Sequence, residues 1–108
     1  MGKPLTPAVM HILLALADED RHGYGIMQEV ARLTDGAVRM GPGTVYGTIK
    51  RLLAARFIEE AGERPDPALD DERRRYYRLT PLGRRALTAE TARAATLISA
   101  ARAKKVYP

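Results

Sequence analysis

Residues 40–57 read MGPGTVYGTIKRLLAARF, and their apolar residues recur with the spacing of one helical face. The apolar positions fall at i, i+4, i+7 and i+8 and are Val45, Ile49, Leu52 and Leu53. The other face is predicted to carry hydroxyl, aromatic and basic side chains and one glycine, namely Thr44, Tyr46, Gly47, Thr48, Lys50 and Arg51. Pro42 stands where the first turn of a helix tolerates proline. The stretch therefore predicts an amphipathic helix with an unusual outer surface.

The charge of this segment has one sign. From Arg39 to Arg56 the sequence contains four basic residues and no Asp or Glu. Such a surface attracts a polyanion rather than forming ion pairs within the chain. Two interpretations stay open on this evidence alone: a helix that reads a nucleic-acid groove, or the solvated face of an ordinary core helix.

Length and composition restrict the class of protein. The 108 residues allow one domain with one modest core. Cysteine is absent, which excludes disulfides and a thiolate zinc site. No apolar run approaches a membrane span, and the N-terminal MGKPLTP lacks the apolar core of a signal peptide. We therefore expect a soluble, cytoplasmic protein without a membrane partner.

The net charge of +5 is unevenly distributed. Residues 1–80 contain twelve basic and twelve acidic residues, whereas the last 28 contain six basic residues and one acid, Glu90. The overall charge is thus a poor indicator of nucleic-acid binding, and local basic patches are more informative.

Capping residues and apolar spacing predict the remaining helices. Thr6 followed by Pro7 starts a first helix that should end near Asp18–Asp20. The segment HGYGIMQEV opens a second helix, which stops at Thr34–Gly36. Thr80 followed by Pro81 repeats the first start, and the last helix runs towards Ala103.

The strands are expected around a charged loop. Ala37–Met40 is predicted as a very short strand before the third helix, and Phe57–Ala61 as a strand after it. Arg75–Leu79 pairs its β-favouring aromatics in a second long strand. Between these two lies GERPDPALDDE, residues 62–72, a predicted loop at the tip of a hairpin.

The last helix has a narrow, alanine-rich seam that suits packing against another helix. Extra apolar residues on the first helix likewise suggest burial on two sides. The predicted dimer contacts are Val9, Leu13, Leu87, Ala94, Ile98 and Ala101.

Three helices, a two-stranded wing and a long terminal helix make a winged helix-turn-helix, mainly α with a small β-hairpin. We expect residues 1–80 to form its DNA-binding part and residues 81–108 its C-terminal dimerisation helix, within the same compact domain.

Four stretches in this order resemble the PadR-like family of bacterial transcriptional regulators, over nearly the whole chain from Pro4 to about Ala101. They are TPAVMHILLALADEDRHGYGIMQEV, GPGTVYGTIKRLLAARFIE, RRRYYRLT and TPLGRRAL. The resemblance implies a homodimer that binds an operator-like duplex, usually represses a nearby gene and releases DNA on a signal. It also implies the short form, in which the single last helix packs on the first helix of the partner.

The resemblance places Tyr24 near the phosphate backbone, Thr44, Tyr46 and Lys50 on the recognition helix, and Arg74 and Arg75 at the base of the wing. From chemistry alone, Lys50, Arg51 and Arg73–Arg75 suit phosphates, and Thr44, Tyr46 and Thr48 suit base edges. Core packing is the alternative for Tyr46. Four acids at the wing tip, Asp66, Asp70, Asp71 and Glu72, would be repelled by phosphates, so we expect the tip to point away from DNA.

An enzyme is disfavoured. His11 and His22 are the only imidazoles, Ser99 is the only serine, and no nucleophile–base arrangement can be assembled. The glycines at 41, 43 and 47 lack the preceding strand and the spacing of a nucleotide-binding loop. We expect no cofactor and no metal. The rival function is a dimeric winged-helix module for protein–protein interaction without DNA binding, although such a face would be expected to mix acids with its bases.

An effector is a further expectation. Met10 and Leu14 widen the apolar surface of the first helix, and Arg93 is available for an anionic group. These residues indicate an apolar, weakly acidic or phenolic small molecule held between subunits. The alternative is that they only seal the dimer. The chain has no Trp and a single Phe, Phe57, so an aromatic sandwich for flat ligands has no obvious counterpart.

Overall fold

The computed structural model describes residues 4–65 and 73–108, and its elements follow the predicted order. The elements are α1 (Pro7–Ala15), β1 (Arg21–His22), α2 (Gly23–Leu33), α3 (Pro42–Ala54), β2 (Ile58–Pro65), β3 (Arg73–Leu79) and α4 (Pro81–Ala103). The winged helix-turn-helix prediction is confirmed: α2 and α3 are joined by a short connector, and β2 and β3 form the wing.

Side chains of residues just outside the helices cap the N-termini of α1, α2 and α4. The hydroxyl of Thr6 accepts a hydrogen bond from the Val9 N–H, and that of Thr80 accepts one from the Gly83 N–H at 3.0 Å. Both threonines precede a proline, as predicted. At α2 the cap is His22, whose Nδ1 accepts from the Gly25 N–H at 2.9 Å. Local sequence thus fixes where these helices begin.

The sheet has three strands in the order β1-β3-β2, all antiparallel. The strand predicted at Ala37–Met40 is wrong, because that segment has no strand structure. The short strand is β1 instead, where Arg21 and His22 pair with Tyr77 and Tyr76 of β3. Two residues carry no periodic pattern, so only the long-range pairing reveals this strand.

Strand β2 is longer than predicted. It continues to Pro65 through a register shift between Glu60 and Glu63, and Gly62 in the middle of this shift has φ +94°. A β-bulge with glycine at positive φ allows a strand to continue past an extra residue. Residues 62–65, predicted as the start of the loop, are therefore part of β2.

Helix ends are sharper than the pattern indicates. Helix α1 ends at Ala15 rather than near Asp18. Helix α3 ends in a Schellman motif: Arg56 has φ +62°, and the Phe57 N–H bonds to the Leu52 carbonyl at 3.0 Å. This turn redirects the chain from α3 into β2.

One hydrophobic core holds the helices and the sheet together. It takes side chains from the three N-terminal helices, the wing and the start of α4: Ile12, Leu13, Ala15, Leu16, Ile26, Val30, Val45, Ile49, Leu52, Ile58, Tyr77 and Leu87. Within the part of the chain that the structure describes, no helix is long and apolar enough to cross a membrane.

Candidate nucleic-acid interface

The first turn of α3 is open. Its N-cap, Gly41, offers no side-chain hydrogen bond, and a Cβ built on Gly41 or Gly43 would meet nothing within 4 Å. The first backbone N–H groups of a helix lack partners within it and lie at the positive end of its dipole. The start of α3 therefore suits an approaching anion such as a phosphate.

The outer face of α3 is largely as predicted. Thr44, Tyr46, Lys50 and Arg51 are exposed, while Val45, Ile49 and Leu52 are buried. Among the described residues, none forms an ion pair with Lys50. Its ammonium group is thus available to a partner.

The prediction that Thr48 lies on the outer face of α3 is wrong. Only 1 % of Thr48 is exposed; its hydroxyl donates to the Thr44 carbonyl at 2.7 Å and accepts from Nη2 of Arg51 at 3.1 Å. Thr48 lies three residues after Val45 and four before Leu52, so it falls within a core stripe that is wider than predicted. Its position excludes base contact and gives it a different role, which is to hold the Arg51 guanidinium against the helix.

Two half-exposed tyrosines lie where α2 meets α3. Tyr46 is 48 % exposed, and its ring lies against the backbone of Gly23 at the start of α2. Tyr24, the next residue, is 49 % exposed, and Cζ of Arg74 lies 5.4 Å from the centroid of its ring. This cation–π distance ties β3 of the wing to the start of α2. Tyr46 is therefore packed on α2 along one side and exposed on the other, and it is not a buried core residue.

The described base of the wing is internally paired. Arg75 lies 3.2 Å from a Glu60 carboxylate oxygen and 3.8 Å from one of Glu63. All three side chains are about half exposed, so these pairs are weak and exchangeable. The side chain of Arg73 and the predicted acidic tip, residues 66–72, lie outside what the structure describes.

A set of contacts that the sequence analysis did not predict links the wing to the start of α2. Arg64 of β2 bonds to Asp20 at 2.8 Å, and its Cζ lies 4.3 Å from the ring centroid of Tyr76. Tyr76 in turn meets His22 edge-on at 5.1 Å between centroids, and His22 caps α2. The wing is thereby linked to the helix that carries Tyr24. In the sequence, the position of His22 directly before the second predicted helix indicates only the capping part of this set of contacts.

Burial raises the pKa of the Tyr77 phenol, which lies in the core beneath the wing, while the positive charge of Arg75 acts in the opposite direction. The phenol is therefore neutral at physiological pH, as a core residue requires.

The predicted dimer residues fall into two groups. Leu13 and Leu87 are core residues of the protomer, with 0 % and 6 % exposed, so the prediction that they contact a partner is wrong. Both point inwards because α1 and the start of α4 pack on each other. Val9, Ala94 and Ala101 are half-buried and Ile98 is 38 % exposed, which leaves them available. Sequence reasoning missed Leu97, which is 71 % exposed and adjoins the seam.

The structure leaves Met10 and Arg93 less available to an effector than predicted. Leu14 is 38 % exposed and Met10 is half-buried against the core. Arg93, however, donates from Nε to a Glu90 carboxylate oxygen at 3.1 Å. Its charge is therefore engaged on the same helix.

A winged helix-turn-helix whose exposed third helix is basic and free of acids defines a class of nucleic-acid-binding regulators. Comparison with known proteins narrows this class. The family model described as "Transcriptional regulator PadR-like family" matches residues 12–89. The chain belongs to this family.

Relatives support the assignment. The chain is 38 % identical to the transcriptional regulator Rv3488 of Mycobacterium tuberculosis over 81 residues, which are 75 % of this chain and 69 % of that protein. A PadR family transcription regulator of Clostridium difficile R20291 superimposes with a TM-score of 0.73 at 21 % identity, over 90 % of this chain and 96 % of that one. Bacillus subtilis PadR, solved in complex with operator DNA, gives a TM-score of 0.68 at 20 % identity, over 81 % of this chain and 47 % of that one. At these identities the solved structures establish the fold.

Proposed function

We propose that this chain is a homodimeric repressor that acts in the cytoplasm and binds a near-palindromic operator through α3 and the wing. The observation that carries the proposal is the exposed face of α3. It presents Lys50, which has no ion-pair partner among residues 4–65 and 73–108, beside Thr44 and Tyr46 at a helix start without a side-chain cap. The structural similarity to a PadR that was solved with operator DNA supports it.

Phosphate contacts and base contacts would come from different residues. Lys50 suits a phosphate as a point charge, and Arg75 can exchange its exposed carboxylate partners for one. Thr44 and Tyr46, near the start of α3, are placed to reach base edges or thymine methyl groups in a major groove. Tyr24 with its Arg74 neighbour would border the same groove at the phosphate backbone.

The second half of α4 supports the dimer. Ala94, Ile98 and Ala101 form a seam of small and branched side chains that the protomer leaves partly open, with Leu97 beside it. Packing this seam on a partner would bury these side chains and set the spacing of the two α3 helices. Residues 81–108 would thus act as the dimerisation element of the same compact domain.

A signal would reach this dimer through an apolar or phenolic molecule held near α1. Leu14 supports this proposal, because a large apolar side chain is left exposed on a helix that already fills the core. Since Arg93 is paired with Glu90, we do not assign it a role in holding an anionic group.

Salt dependence distinguishes DNA binding from the rival function of a protein-interaction module. Lys50→Ala should weaken binding to every duplex and reduce the slope of log K against log salt by about one unit, because one phosphate contact is lost. Fluorescence anisotropy at several salt concentrations measures this slope. Lys104→Ala, at the far end of α4, is the control and should leave the slope unchanged. An unchanged slope for Lys50→Ala would remove Lys50 from the interface, and no duplex binding by the wild type would favour the interaction module.

A further inference from the structure

We propose that Gly23, which is buried and does not itself face DNA, positions the ring of Tyr46 and so sets the sequence specificity of the proposed interface. The inference rests on the proposed function of α3. Gly23, the first residue of α2, would contribute to recognition because it has no side chain and so leaves space for the Tyr46 ring.

The geometry at Gly23 is tight. A Cβ atom at this position would lie 2.5 Å from Cε1, Cζ and the hydroxyl oxygen of Tyr46. Such a distance is well inside van der Waals contact, so the ring can occupy its observed place only beside a glycine. At Gly43 an added Cβ would meet nothing within 4 Å, and at Gly47 the nearest atom would be Nη1 of Arg51 at 4.0 Å. The requirement for glycine is thus specific to position 23 among these three.

The ring of Tyr46 is the part that would yield to an added methyl group. It is the far end of a side chain and half exposed. The backbone at Gly23 is held more firmly, because the His22 cap fixes the first turn of α2 and β1 joins the preceding residues to β3. Alanine at position 23 should therefore displace the phenol and leave the helices in place.

Displacing the phenol should change discrimination between sequences more than overall affinity. Hydrogen bonds and apolar contacts to base edges depend on the direction of the side chain, whereas attraction to phosphates depends mainly on charge. Loss of a good base contact typically reduces discrimination by a factor of roughly 5 to 100. The ratio of operator affinity to random-duplex affinity is therefore the quantity to measure.

The test compares Gly23→Ala, Tyr46→Ala and the double variant. Gly23→Ala should reduce the ratio of operator to random-duplex affinity by about fivefold or more, with an unchanged salt slope. In the Tyr46→Ala background the same substitution should have no further effect, because the ring it displaces is gone. Gly25→Ala, where an added Cβ lies 3.4 Å from the His22 ring, is the control on the same helix and should keep the ratio.

A second readout needs no DNA. Melting temperatures of the four proteins form a double-mutant cycle, and Gly23→Ala should lower the melting temperature in the wild-type background but not in the Tyr46→Ala background. If Gly23→Ala does not fold alone, the double variant should fold, and its discrimination should equal that of Tyr46→Ala.

Different outcomes would overturn the role of Gly23 and the proposed function. A Gly23→Ala protein that discriminates like the wild type, or a loss that persists without the Tyr46 ring, overturns the role of Gly23 while DNA binding stands. Absence of any duplex binding by the wild type overturns the proposed function and the recognition role of Gly23 with it.

Discussion

Glu29 is a buried carboxylate held between two guanidinium groups. Oxygens of this group accept hydrogen bonds from Arg32 at 2.8 and 2.7 Å, and Nη2 of Arg21 lies 3.7 Å away. The hydrogen bonds from Arg32 lower the pKa of Glu29, against an opposing effect of burial. Arg21 also donates to the Ala15 carbonyl at 2.8 Å, so the group joins the end of α1 to α2.

Because the pKa of Glu29 is lowered on folding, its ionised form stabilises the protein above its ordinary pKa of 4.5, and that contribution is lost as pH falls through the lower folded value. Glu29→Gln should therefore have a lower melting temperature than the wild type at pH 7, with a difference that shrinks in acid. Calorimetry from pH 7 to about pH 3 measures it. Glu63→Gln, in an exposed pair, should change little. A difference for Glu29→Gln that is independent of pH would contradict this role.

The sequence predicts the exposure of most side chains on α3 correctly and that of Thr48 incorrectly. The positions of Thr44, Tyr46 and Lys50 on α3 followed from spacing alone, and all three are exposed. The prediction for Thr48 is wrong because its hydroxyl donates a hydrogen bond to the carbonyl four residues earlier, which allows the side chain to be buried. The contact of Tyr46 with Gly23 could not be predicted, since it depends on how α2 and α3 cross.

Helix starts are the best-predicted features among the secondary-structure elements. Thr6 and Thr80 cap α1 and α4 because the capping bond is made within three residues of the chain. Strand β1 and the extension of β2 were missed because their stability comes from pairing with β3, far away in sequence. A helix cap depends on residues that are adjacent in sequence, whereas strand register depends on residues that are distant in sequence.

The start of α4 is attached to the turn after α3 by close backbone contact. Thr80 donates from its N–H to the Phe57 carbonyl at 3.1 Å and from its hydroxyl to the Arg56 carbonyl at 2.6 Å. A Cβ on Gly83 would lie 1.9 Å from the same Phe57 carbonyl oxygen. The glycine in TPLG thus lets the helix approach the backbone, and α4 keeps a fixed position relative to α3.

Gly83→Ala should destabilise the fold by about 1–3 kcal/mol, because two backbones would have to separate. Gly47→Ala is the matched control: it lies within α3, where the nearest atom to an added Cβ is Nη1 of Arg51 at 4.0 Å, and it should stabilise by roughly 0.5–1 kcal/mol through helix propensity. Urea titration of both variants gives the free energies of unfolding. A Gly83→Ala protein as stable as the wild type would show that α4 does not depend on this contact.

The molecule as a whole is extended by α4. Its radius of gyration is 15.3 Å, against about 13 Å for a compact chain of this length, and its longest axis measures 53 Å. Of the 23 residues of α4, all of them described, Gly83 and Leu87 are buried and both belong to its first turns. A helix of this length that leaves apolar side chains such as Leu97 outside is suited to a partner.

Ile98→Asp should dissociate the proposed dimer without altering the proposed DNA-binding surface. A carboxylate buried against the partner would cost several kcal/mol. Sedimentation at micromolar concentration shows the change in mass. Lys104→Ala, on the exposed end of the same helix, should stay dimeric. An Ile98→Asp protein that remains a dimer would place the interface on another face of α4.

Selection of bound duplexes from a random pool, with the wild type and Ile98→Asp in parallel, tests whether the proposed recognition surface acts in a dimer. Two α3 helices about 34 Å apart would read an inverted repeat whose half-sites are centred about one DNA turn apart. The wild type should enrich such a repeat, and Ile98→Asp should enrich no paired half-sites. A wild-type pool without an enriched inverted repeat would contradict operator recognition by the dimer.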